Sequence, residues 1–197
     1  MTRTLLTGMF TTLALAGCPD TQGGLDDFQD RTETLRMEVV QTDCMGIGDI
    51  DDEFFVAVAV VISPDPPILL QGTFTTDTTA TPPTISAALT ILNKETRAKL
   101  DGALITATAE LEADGSYELD FGDITVPAEG NPITGTGIPA VFLMSGCSSE
   151  PQPCGTVDGT AAGALALEGS TWNSVTLTGG EDLTQLEAVS ACPEPAN

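Results

Sequence analysis

Along most of this chain, apolar and polar side chains alternate with a period of two. In residues 54–62, FFVAVAVVI, one face carries Phe54, Val56, Val58, Val60 and Ile62, and the other carries Phe55, Ala57, Ala59 and Val61. Successive strand residues point to opposite sides of a sheet. A stretch apolar on both sides therefore predicts a strand at the centre of the fold, its larger face toward the main core. Residues 103–126 read as a hairpin. Ile105, Ala107, Ala109 and Leu111 point one way, and Thr106, Thr108, Glu110 and Glu112 the other. Ala113-Asp114-Gly115-Ser116 supplies the turn, with Gly115 free to take a positive φ. On the return, Tyr117, Leu119 and Phe121 face inward until the apolar parity moves to Ile124 and Val126, which predicts a β-bulge at Gly122-Asp123.

A second hairpin is expected where Leu165 and Leu167 meet Val175 and Leu177 around Gly169-Ser170, and further strands at 35–42, 68–74, 84–92 and 138–145. Two segments depart from the alternation. Residues 93–102, NKETRAKLDG, offer Asn93 as a cap, a Glu95/Lys99 pair at i,i+4 and a terminal glycine, which predicts a short helical turn. Residues 181–191 space Leu183, Leu186 and Val189 at intervals of three, readable as a helix or, over 186–189, as a last strand. Many short strands with frequent turn signals predict an all-β fold. The expected form is an antiparallel two-layer β-sandwich, with a closed antiparallel β-barrel as the alternative.

The first residues obey a different logic. Arg3 is followed by a mostly apolar run over 5–16 and then by Leu15-Ala16-Gly17-Cys18. A charged start, a short apolar region and a small-residue site form the layout of a secretory signal. A spanning helix needs about 20 apolar residues, and this run is too short. The tetrapeptide resembles the lipobox of bacterial lipoproteins. That resemblance implies cleavage before Cys18, a thioether from its sulfur to a diacylglycerol, and the membrane as a partner through that lipid. Pro19, rather than an aspartate, follows the cysteine; by the sorting habit of that family this implies an outer-membrane address in a Gram-negative envelope. The chain then divides into a signal peptide (1–17), a lipidated flexible acidic tether (18–34) and a single β-rich domain (35–197).

Of 197 residues, removal of 17 leaves 180, enough for one domain with a real core. Hydrophobic residues make up 41% and aromatics only 5%, so that core must be built from Val, Ile, Leu and Ala. Six Lys+Arg against 29 Asp+Glu give a formal charge of −23, and loss of Arg3 makes it −24. Such a surface repels phosphate backbones, which excludes nucleic acid as a partner. There is no histidine, which removes Ser-His-Asp and Cys-His relays and His-containing zinc sites.

The cysteines number five: Cys18, Cys44, Cys147, Cys154 and Cys192. With Cys18 assigned to lipid, the other four make two disulfides in an oxidising compartment. Of three possible connectivities, Cys147–Cys154 across a short loop and Cys44–Cys192 joining the domain ends are favoured. Asp49, Asp51, Asp52 and Glu53 form the best candidate for calcium, which takes six to eight oxygen ligands, but their order is not that of an EF-hand loop. No other cofactor is expected. Lys94, Arg97 and Lys99 make a local positive spot able to receive a carboxylate, or else pair within a solvated turn. The threonine-rich stretch 73–84 reads as an extended, accessible loop.

These features predict an exported, lipid-anchored envelope protein that acts as a non-catalytic binding or structural module with a protein or glycan partner. The alternative is a carboxylate-dependent hydrolase of envelope or extracellular glycans. A hydrolase needs two carboxyl groups facing each other in a cleft beside aromatic platforms, and Trp172 and Tyr117 are the only Trp and Tyr.

Overall fold

The computed structural model describes residues 44–150 and 152–192. The expected signal peptide and tether, Cys18 and the strand expected at 35–42 lie outside the described residues. Among the described residues, nine strands follow one another: β1 (Asp51–Val60), β2 (Ser63–Asp77), β3 (Thr84–Leu92), β4 (Lys99–Glu110), β5 (Ser116–Val126), β6 (Ile138–Cys147), β7 (Cys154–Ala161), β8 (Leu165–Ala166) and β9 (Ser170–Leu177). All pair antiparallel, as the alternation predicts. They form one sheet in the order β4-β3-β2-β1-β9-β7-β6-β5, with β8 added beside β7. The sheet curls until β4 and β5 run alongside one another, nearly closing a barrel.

Strand β1 holds the middle. Phe54–Val60 are all buried, and its neighbours are β2 and β9. Its larger face enters the main core with Leu70, Phe74, Leu89, Ile91, Leu119 and Met144. Phe74 stacks on Trp172 at 5.6 Å and meets Phe54 edge-on at 5.6 Å, so three of the few aromatics occupy one spot. Trp172 is fully buried and donates its indole N–H to the Ser145 carbonyl at 3.0 Å, which satisfies its polar atom inside the core.

The other face of β1 is also covered. Phe55 and Ala57 join Leu69, Leu92 and Leu177 in a second apolar cluster outside the barrel, against which Leu183, Leu186 and Ala188 pack. Those three belong to a C-terminal strap, residues 181–192. The strap is neither the helix nor the strand that its spacing allowed. Asp182 caps a single 3-10 turn, Leu183–Gln185, and the rest of it runs without helix or strand structure.

The turn at 113–116 forms as expected. Gly115 sits at φ 87°, and a Cβ there would lie 2.0 Å from the Gly46 carbonyl oxygen, so only glycine fits. The bulge is also present, as a register shift between Asp120 and Asp123 with Gly122 at φ 64°. Beyond the turn, however, β4 and β5 make no ladder with each other. β4 pairs with β3, and β5 with β6. Glu110, Glu112, Glu118 and Asp120 line the two lips of the seam, and like charges facing across strands oppose pairing.

The second expected hairpin is absent for a related reason. β9 has both edges occupied, by β1 and β7, and Leu165-Ala166 pairs with β7 instead. The missing element in the pattern was β7, CGTVDGTA, where Val157 is the one large apolar side chain. Residues 93–96 form a turn rather than a helix: Asn93 Oδ1 accepts from the Glu95 and Thr96 amides, both at 2.9 Å, and Arg97 turns left-handed at φ 56°. Of the threonine-rich stretch, Thr73 to Asp77 completes β2. The accessible part is the turn that follows, where the Asp77 carboxylate accepts from Thr79 and Ala80.

Candidate functional site

A cavity of about 610 Å3 opens along the β4/β5 seam and extends over the adjoining ends of β6 and β7. Its floor includes Ser145, Gly146, Gly155 and Thr156, and its walls carry the carboxylates of Glu110, Glu112, Glu118, Asp120 and Glu150. The first four are exposed and Glu150 is half-buried. Among the described residues, no basic side chain lines it. The site is therefore an acidic groove able to receive positive charge or to donate many oxygen acceptors. It follows from strand parity: Glu118 and Asp120 alternate with inward Leu119 and Phe121, as Glu110 alternates with Ala109 and Leu111.

Tyr117 also borders the groove, but its ring belongs to the core. The hydroxyl is buried without a hydrogen-bond partner, and burial pushes its pKa well above the ordinary tyrosine value. It lies close over Gly146, where a Cβ would sit 2.8 Å from that oxygen. Neither Trp172 nor Tyr117 offers an open ring face for a sugar.

Both disulfides edge the same groove, and their pairing corrects the expected one. Cys44 is bonded to Cys147, with Cα atoms 5.4 Å apart, and Cys154 to Cys192, at 5.5 Å. Nearness in sequence favoured Cys147–Cys154, yet sheet order decides. The entry segment is held by the β4–β5 turn and the β6–β7 loop: Gly46 N–H donates to Asp114 O of the turn at 2.7 Å and Gly48 N–H to Ser148 Oγ of the loop at 3.1 Å. That lays Cys44 beside Cys147. At the other end Asn173, which pairs with Cys154 in register, donates Nδ2–H to Ala191 O at 2.7 Å and so delivers Cys192.

The candidate calcium ligands are dispersed among other partners. Asp49 accepts from Thr76 Oγ1 at 3.2 Å and Asp51 from Thr75 Oγ1 at 3.4 Å, while Asp52 is exposed. Glu53 accepts from Gln71 at 3.0 Å and pairs with Lys99 at 3.4 Å. Among the described residues, no group of three or more Cys, Asp or Glu converges as a metal site would require. The three clustered cations are likewise engaged within the molecule. Lys94 donates to the carbonyls of Ala128 and Asn131 at 3.2 and 3.3 Å, fastening the loop over the barrel end. Arg97 lies 5.2 Å over the Phe55 ring and donates to the carbonyls of Leu183 and Leu186, the latter at 2.7 Å.

That clamp is not visible in the sequence, because its acceptors are backbone carbonyls of the 3-10 turn and of the residue that ends it. No family model, no curated protein and no solved structure matches this chain.

Proposed function

We propose that this is an exported envelope protein, lipid-anchored at Cys18, whose β domain is a non-catalytic binding or structural module. The observation that carries the reading is cysteine pairing. Four of the five cysteines are joined to one another, the chemistry of an oxidising compartment, which leaves the fifth, at the end of Leu15-Ala16-Gly17-Cys18, for the lipid. The acidic groove is the binding face of this module, facing a protein or glycan partner. Four of its carboxylates, Glu110, Glu112, Glu118 and Asp120, stand exposed along the seam, and the Trp and Tyr rings that a glycan hydrolase would use as platforms are in the core. An outer-membrane address fits Pro19 after the lipidated position.

Replacing Cys18 tests the anchor. Cys18→Ser is expected to release the protein from the membrane fraction or to leave it as uncleaved precursor. A variant that matures and stays membrane-bound contradicts the reading. Calcium binding at the entry to β1 would require Asp49, Asp51 and Glu53 to leave the partners they hold. A higher melting temperature in millimolar calcium than in EDTA supports it, and equal temperatures remove it.

A further inference from the structure

The C-terminal strap is attached in a way that the rest of the domain is not. Among the described residues, no backbone–backbone hydrogen bond joins 182–192 to the barrel; the two that involve it, Gln185 N–H to Asp182 O and Leu186 N–H to Leu183 O, are internal. Three points hold it: the Arg97 guanidinium on two carbonyls, Asn173 on Ala191 O, and the Cys154–Cys192 bond. The chain reaches the strap through Gly179 and Gly180, both exposed, at φ 94° and 90°. Beneath it lies an apolar cluster separate from the main core, of which Phe55, Ala57 and Leu69 are nearly inaccessible, with Leu183, Leu186 and Ala188 of the strap packed against it. Leu183, Leu186 and Ala188 bury themselves only in part, so their packing alone is a weak hold.

We propose that Cys154–Cys192 is a redox latch on this strap: its reduction opens 182–192 about Gly179-Gly180 and exposes the outer apolar face of β2, β1 and β9, while the barrel stays folded. The reductant is a dithiol. One of its thiolates attacks a sulfur of the bond, forming a mixed disulfide and releasing the other cysteine as a thiol. Its second thiol then displaces the remaining cysteine, so two electrons and two protons pass to Cys154 and Cys192 and the dithiol becomes a disulfide. Cys192 is half-buried and borders the groove, giving that thiolate a way in. The groove's carboxylates favour an uncharged dithiol over an anionic one. Breaking the latch leaves only side-chain contacts on the strap, the condition for local opening well below the cost of global unfolding. The other disulfide has no such role. Cys44 begins a segment that Gly46, Gly48 and Ile50 bind to the barrel through their own amides.

Hydrogen exchange on the folded protein, with and without dithiothreitol, tests the latch, and Cys154→Ser/Cys192→Ser and Cys44→Ser/Cys147→Ser provide two comparisons. Reduction and the first double variant are each expected to speed exchange of the Thr184, Gln185 and Leu186 amides by about tenfold or more, with β1 and β9 amides still protected and a hydrophobic dye bound. The second double variant is expected to leave strap exchange as in the untreated protein. Unchanged strap protection after reduction of Cys154–Cys192 overturns the proposal, as does loss of protection throughout the barrel. If the first variant does not fold, reduction of the folded wild-type protein decides by the same two readouts.

Discussion

Tyr117 shows how a side chain can be well packed and badly satisfied at once. Its ring covers Gly146 inside the core, yet its hydroxyl has no partner. An unpaired buried hydroxyl costs about 1–3 kcal/mol. Tyr117→Phe is therefore expected to hold or raise the urea midpoint; a loss of more than about 1 kcal/mol would mean the hydroxyl is paired after all. At the base of the strap, Glu181 accepts from the Thr178 hydroxyl and amide and from the Gly179 amide, and these bonds hold its carboxyl down to about 2. A folded value below the unfolded one means that its stabilisation is present above about pH 4.5 and is lost as pH falls through about 2. The Thr178 and Gly179 amide resonances should titrate with a midpoint near 2, and Glu181→Gln should abolish that titration. A midpoint at the ordinary glutamate value would show that the turn does not hold the carboxylate.

At the scale of elements, the disulfides close two loops that do not overlap, with sequence separations of 103 and 38. The chain-entropy relation gives about 5 and about 4 kcal/mol respectively. Cys44→Ser/Cys147→Ser should accordingly lower unfolding free energy more than Cys154→Ser/Cys192→Ser, and chemical denaturation in the absence of reductant measures both. The opposite order would show that native-state contacts of the strap outweigh loop closure. The strands legible in the chain are the doubly apolar β1 and those in which burial alternates with residue type, as in Ile85, Ala87, Leu89 and Ile91 of β3. β7 could not, because glycines do the work there: a Cβ at Gly155 or Gly159 would strike the backbone of β6 at 1.8 or 2.1 Å. Close strand approach leaves no hydrophobic period to find. The cysteine partners and the open seam depend on which strands become neighbours, a property of sheet order that no local pattern encodes. The groove was half legible: Glu110 and Glu118 were placed outward, but as a paired hairpin rather than as the lips of a gap.

For the whole molecule, one interior unites the two ends of the sheet. Trp172 of β9 and Phe74 of β2 stack at its centre, with Leu119 of β5 and Met144 of β6 buried in the same core. Trp172→Ala is expected to cost about 3–5 kcal/mol, and circular dichroism through a urea titration checks it; a cost under 1 kcal/mol would place the centre of the core elsewhere. The same single interior predicts that tryptophan fluorescence and far-ultraviolet dichroism report one coincident transition. Two disulfides suit a domain held outside the cytoplasm, and the lipid proposed at Cys18 would hold it there. The most direct measurement of that claim is a non-reducing mass-spectrometric peptide map of the protein extracted from membranes. The expected map begins at a diacylglyceryl-modified Cys18 and contains the linked pairs Cys44–Cys147 and Cys154–Cys192. A map that retains residues 1–17, or that shows the four domain cysteines as free thiols, contradicts it.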